Sequence, residues 1–229
     1  MATSGTTAFD LDIDDIIEEA YERCAIRTNS GYDLKSARRS LNILFSEWSN
    51  RGVHLWKVVL NTQALTSGTA TYTAPTTTSD VLEAYISSSS GTTSSTSDVA
   101  LTKISRSDYA AKSNKGATGQ PSEYYVDRQT TPTITLYQTP NASTYTHLKY
   151  YTVKRIEDAG AYTNQADIAF RFIPAMVAGL AYYLSMKVNP QLIQTNKLIY
   201  EDELKRALEE DGQRTSLYIT PQSYYPSGS

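Results

Sequence analysis

Hydrophobic positions change their period twice along the 229-residue chain. From Ile13, apolar side chains recur at Ile16, Ile17, Ala20, Tyr21 and Cys24, the i, i+3, i+4, i+7 spacing of one helix face. Asp10, Asp12, Asp14 and Asp15 crowd its start, where carboxylates cap free N–H groups and favour the positive end of the dipole. After a turn at Asn29-Ser-Gly-Tyr, a second helix is predicted, with Asp33 as its cap. Its stripe is Leu34, Ala37, Leu41, Leu44, Phe45 and Trp48, and Gly52 is its stop. The short turn predicts an antiparallel helical hairpin.

Beyond His54 the period falls to 2. Short strands are predicted over 55–60, 71–73, 81–86, 99–104, 123–127, 133–137 and 148–153, with turn residues between them. This spacing suggests a small antiparallel sandwich or barrel. The run Ser87 to Ser97 is low-complexity Ser/Thr and has no apolar area to bury, so it reads as a mobile hairpin tip or exposed loop.

Helical signals return at Ile168 to Lys187, which is apolar nearly all round. Such a helix is buried on several sides, by its own domain or by a neighbouring subunit. Pro174 must lie in its first turns or bend it. Asn189-Pro190 then reads as an N-cap followed by proline at N1 of a fourth, polar helix. That helix runs through Ile199 and Leu204 to Leu208 and stops at Gly212, with Glu201–Lys205 and Asp202–Arg206 as i,i+4 ion pairs.

The predicted fold class is therefore α+β. A four-helix domain formed by the N- and C-terminal helix pairs (residues 1–53 and 163–213) is interrupted by a large antiparallel β insertion, sandwich- or barrel-like (54–162). An extended C-terminal arm, residues 214–229, follows. Its apolar anchors Leu217, Tyr218, Ile219, Pro221, Tyr224, Tyr225 and Pro226 suit docking on a partner or neighbour, and a frayed terminus is the other reading.

Composition narrows the function. A net charge of −3 argues against a protein that clamps nucleic acid over many phosphates, leaving room for brief or sliding contact. Tyrosine stands out, with 18 copies against four Phe and two Trp, and suits both half-buried strand positions and protein–protein contacts. Cys24, the single cysteine, falls on the first helix's apolar stripe and reads as a small buried hydrophobe. No apolar run approaches the ~20 residues that span a bilayer, and the first residues lack a signal-peptide plan, so no secretion or membrane step is expected.

Candidate chemistry is scarce. His54 and His147 each sit beside a β-patterned segment without a local nucleophile. Counting a calcium loop from Asp10 puts Asp15 where glycine belongs and Tyr21 where glutamate belongs. Gly116-Ala-Thr-Gly119 is too short for a phosphate loop, and Arg38-Arg39 reads as a solvated or ion-paired step. No catalytic, cofactor-binding or metal-ligating set is assigned, and no cofactor and no enzyme activity are expected.

Five stretches occur in a telling order: Tyr109-Ala-Ala-Lys112, Gly119 to Asp127, Pro132 to Pro140, Leu148 to Val153 and Arg171 to Ala181. Together with Tyr32 to Trp48, this series resembles the head-to-tail adaptor (connector) proteins of tailed bacteriophages, mainly short-tailed ones, over roughly residues 10 to 210. The resemblance implies a helical core with a β insertion, assembled as a ring of identical subunits, usually twelvefold. Such a ring joins the portal protein to a tail nozzle or tail tube protein at the virion neck, after assembly in the host cytoplasm. It helps retain packaged DNA and passes it during ejection, with only transient, non-specific DNA contact. The family usually has proline near Ala169, and the Ser87–Ser97 loop looks peculiar to this chain. The competing reading is a receptor- or carbohydrate-binding β module on a helical oligomerisation base, with Trp56 or exposed tyrosines as sugar platforms.

Overall fold

The computed structural model describes residues 11–27, 31–53, 55–91 and 96–212, together with Gly5 and Phe9. Two helices come first, α1 (Ile13–Arg23) and α2 (Gly31–Asn50). A 3-10 turn, Leu55–Lys57, leads into β1 (Val58–Ala64), β2 (Thr71–Thr73), β3 (Thr78–Ser87), β4 (Asp98–Ala100) and β5 (Thr102–Ile104). Next come a short helix α3 (Arg106–Ala111), β6 (Thr118–Gly119), β7 (Glu123–Asp127), β8 (Thr133–Tyr137), β9 (Thr139–Pro140) and β10 (His147–Lys154). The chain closes on α4 (Ile173–Val188) and α5 (Ile193–Asp211), each entered through a 3-10 turn.

The α1 stripe is buried as its period predicts, from Ile13 to Cys24. Its start is capped differently from expectation. Asp12 makes no side-chain cap bond; the Ile13 and Asp14 amides donate instead to the carbonyls of Asn164 (3.0 Å) and Tyr162 (3.1 Å). The connection preceding α4 thus satisfies two orphan donors, leaving Asp14 and Asp15 to favour the dipole from the first turn. Asp33 lies inside the first turn of α2, which begins at Gly31.

Ile13, Leu41, Phe172 and Leu204 belong to one hydrophobic cluster that draws on α1, α2, α4 and α5. At its centre is α4, where residues 175 to 181 are all buried. The cover comes from this chain's own helices, which answers the question the sequence left open about a neighbouring subunit. Gly179 makes that position possible: a Cβ there would meet both Leu44 methyls and the Tyr200 ring at 2.9 Å. Pro174 sits in the first turn of α4, where its missing N–H costs nothing. Asn189 does precede proline at N1, of a 3-10 turn Pro190–Leu192 that opens into α5.

The buried face of α5 is Asn196, Tyr200, Leu204 and Ala207, so Ile199 and Leu208 point outward. Of the two expected ion pairs on that helix, Asp202–Arg206 forms at 2.5 Å. Glu201 does not pair with Lys205; it holds Arg51 of α2 at 2.9 Å, and Lys205 approaches Glu209. A planar guanidinium offering two N–H groups outcompetes a flexible ammonium for one carboxylate.

The strands form two four-stranded sheets, β1-β10-β3-β4 and β2-β8-β7-β5, and a two-stranded ladder β6-β9. Val81, Ile86 and Leu148 of the first sheet share a second cluster with Tyr124, Ile134 and Leu136 of the other. Both large sheets are open, so no closed barrel forms among the described residues. The pairing is not wholly antiparallel either, since β5–β7 and β6–β9 run parallel.

The segment 99–104 is two strands in two sheets. β4 pairs with β3, and the chain turns a corner at buried Leu101 so that β5 pairs with β7. β3 itself carries two bulges that leave Ser79 and Leu82 without partners across the ladder. Without the second bulge, Val81 and Ala84, three residues apart, would point to opposite faces; with it, both reach the core.

Candidate interaction surfaces

The arm residues Leu217, Tyr218, Ile219, Pro221, Tyr224, Tyr225 and Pro226 lie outside the described residues, as does His54. His147 is half-buried on β10, its Nδ1 2.9 Å from the Thr146 hydroxyl. Asp12, Asp14 and Asp15 bring carboxylate oxygens within 4.8 Å of one another, at the helix start whose dipole favours them. Both tryptophans belong to the helical core. Trp48 is fully buried, and Trp56 packs its ring 4.7 Å from Phe172, so neither offers the open face a sugar platform needs.

A polar network ties the helices together beside this core. The Trp48 indole N–H donates to the Tyr200 hydroxyl (2.9 Å), and the hydroxyls of Tyr200 and Tyr183 both donate to Glu47 (3.1 and 3.2 Å). Arg51 bridges Glu47 (2.5 Å) and Glu201 (2.9 Å). Burial first, and then the Glu47 charge, push the Tyr200 phenol far above its ordinary range. The bonds to Arg51 hold Glu201 below the usual carboxylate range. Each polar group here has a partner, so the network fixes the relative positions of α2, α4 and α5.

The quoted stretches meet in space. Lys112 of Tyr109-Ala-Ala-Lys pairs with Glu123 at 2.6 Å, and its ammonium lies 5.2 Å over the Tyr137 ring. Tyr109 stacks on Tyr125 at 5.8 Å. These contacts pin α3 against β7 and β8. Likewise, Arg171 ion-pairs with Asp211, and Phe172 packs against Trp48 and Trp56, so the start of α4 is fastened to the end of α5. Arg38 donates to the Gly160 carbonyl (2.9 Å) and lies over Tyr162, while Arg39 is exposed.

The Ser/Thr run connects β3 to β4 as a hairpin, and its base is tied down more firmly than its composition suggests. Lys149, 2% exposed, donates to the Gly91 carbonyl (2.5 Å) and Asp98 (3.2 Å), and Ser88 and Ser97 exchange two hydrogen bonds. The Asp98 carboxyl is held below its usual range by Ser87 and then by Lys149. Residues 92–95 at its tip lie outside the described residues.

Two kinds of surface remain for partners. One is a set of outward apolar side chains on the helices, including Tyr32 (73% exposed), Phe170 (67%) and Leu198 (71%). The other is a groove of about 660 Å³ between α1 and α4. Its lining includes Phe9, Leu11, Ile173, Pro174 and Val177, with Asp15, Glu18, Glu19 and Glu22 along the α1 side. No local period marks this groove, because Phe9 and Leu11 precede the helical stripe and acquire meaning only when α4 arrives beside them. No helix among the described residues is long and apolar enough to cross a membrane.

A family model described as SU10 adaptor protein matches residues 5–223. A search of curated proteins finds none that matches the chain.

Proposed function

The chain belongs to the SU10 adaptor protein family, a family of phage head-to-tail adaptors, and from that premise we propose that it forms a ring between portal and tail. The observation that carries this reading is the match itself, which spans the helical elements, both sheets and most of the arm. Outward apolar residues on the helices give neighbouring subunits something to bury, and specific, stable interfaces commonly bury ~1,200–2,000 Å².

In this reading the ring is twelvefold and built from a helical unit (1–53 and 163–213) that the insertion 54–162 interrupts. It sits at the virion neck after assembly in the host cytoplasm. It binds portal protein on one side and a tail nozzle or tube protein on the other. Leu217, Tyr218, Ile219, Pro221, Tyr224, Tyr225 and Pro226 dock on the portal or a neighbour. Packaged DNA is retained and then passed with only transient contact, for which a mildly acidic subunit is suited. The role is structural and not enzymatic.

Native mass measurement tests the proposal. The protein alone should give the mass of one subunit, and mixing with its portal should give a bound ring; deleting residues 214–229 should abolish that docking and leave the fold intact. A chain that stays monomeric beside its portal and is missing from virions would overturn it.

A further inference from the structure

We infer that the groove between α1 and α4 seats the start of the arm, Arg214 to Ile219 of the same chain, in the free subunit. Three observations converge on that occupant. The first is where the described chain ends. Asp211, at the end of α5, ion-pairs with Arg171, two residues before Ile173 in the groove floor. Gly212 then leaves the helix with an extended backbone, φ −62° and ψ 130°. From there to Ile219 the chain can span roughly 23 Å at ~3.3 Å per residue, enough to pass round a helix ~10 Å across.

The second observation is charge. The α1 wall offers Asp15, Glu18, Glu19 and Glu22, with Arg23 engaged by Glu19 at 2.9 Å. Arg214 is the only charged residue of segment 213–229 and is opposite in sign to that wall. The third is the apolar match. Leu217, Tyr218 and Ile219 follow Arg214 directly, and the floor is Leu11, Ile173, Pro174 and Val177. Tethering so close to the groove gives the segment an effective concentration in the millimolar range, which favours it over the same segment of another copy. The seat concerns the free subunit and goes beyond the adaptor reading, so its test contains no portal.

The test uses the full chain with Glu18→Cys and Ser216→Cys, mildly oxidised at low salt. Native Cys24 is 0% exposed and stays out of the reaction. A disulfide needs Cα atoms within roughly 7 Å, so it reports seating directly. The expected product is an intramolecular crosslink in most chains, reduced several-fold by Arg214→Glu or by Leu217→Ser with Ile219→Ser. Its yield should exceed that of Lys35→Cys with Ser216→Cys, because Lys35 lies at the far end of α4, next to the Ser36–Lys187 contact. A yield equal to that control would overturn the inference, as would mainly intermolecular crosslinks.

Discussion

The helical and strand regions seal their interiors by different means. Around Trp48, α1, α2, α4 and α5 close over a cluster of 24 buried residues among those described, and the polar atoms at its margin are absorbed by Glu47, Arg51 and Glu201. The sheets enclose a cluster of 13 buried residues among those described, and much of their order comes from devices at the rim. Two bulges aim β3, a corner at Leu101 hands the chain between sheets, and Lys149 anchors a serine-rich hairpin. A region with fewer buried apolar groups and more rim contacts opens first, so the sheets are the adaptable part and the helices the frame.

The largest expected effect comes from breaking the frame. Trp48→Ala removes the biggest fully buried side chain, its packing on Phe45 and Phe172, and the donor to Tyr200. Urea unfolding should show a loss of about 4 kcal/mol. A loss below about 1 kcal/mol would mean that the frame does not depend on this cluster.

Alkaline pH strikes both regions and sharpens the comparison. Burial pushes the Tyr21 phenol of the helices and the Tyr124 phenol of the sheets up to about 12, from an ordinary 10.0. A raised folded-state pKa contributes stability that is complete below the unfolded value and is lost as pH rises from there through the folded value. Stability should therefore hold below pH ~10 and fall between ~10 and ~12. Tyr124→Phe should lower the slope in that window by up to about one proton, and an unchanged slope would contradict its assigned burial.

The smallest effect belongs to the rim. Lys149→Met removes a buried ammonium whose partner Asp98 is still partly open to water. Asp98 is 43% exposed and can rehydrate once its partner is gone, while the methionine keeps most of the apolar stem in place, so global stability should change by about 1 kcal/mol. Hydrogen exchange at Ser88 and Ser97 should nonetheless speed up markedly. Equal acceleration across β10 and β3 would show that the anchor serves the whole sheet.

The same contrast explains how far the sequence could be read. α1 and α4 were legible because their apolar positions encode burial locally, and β7 and β8 begin and end where alternation begins and ends. Several other features have causes distant in sequence. The bulges of β3 are set by its register on β10, the break at Leu101 by two different partner strands, and the choice of Arg51 by Glu201 by the packing of α2 on α5. α3 did carry a local signal, Ser105 and Asp108 in a capping box, but at six residues it is too short for a periodic stripe. The α1–α4 groove had none, since its walls are 150 or more residues apart in sequence.

In this fold α4 is covered by its own chain before any assembly occurs. Hydrogen exchange along Met176 to Leu184, compared between the isolated subunit and the portal-bound ring, tests this most directly. These amides should already be protected to nearly the global stability in the isolated subunit and should change little on assembly. Fast exchange in the isolated subunit, with protection gained only in the ring, would contradict it.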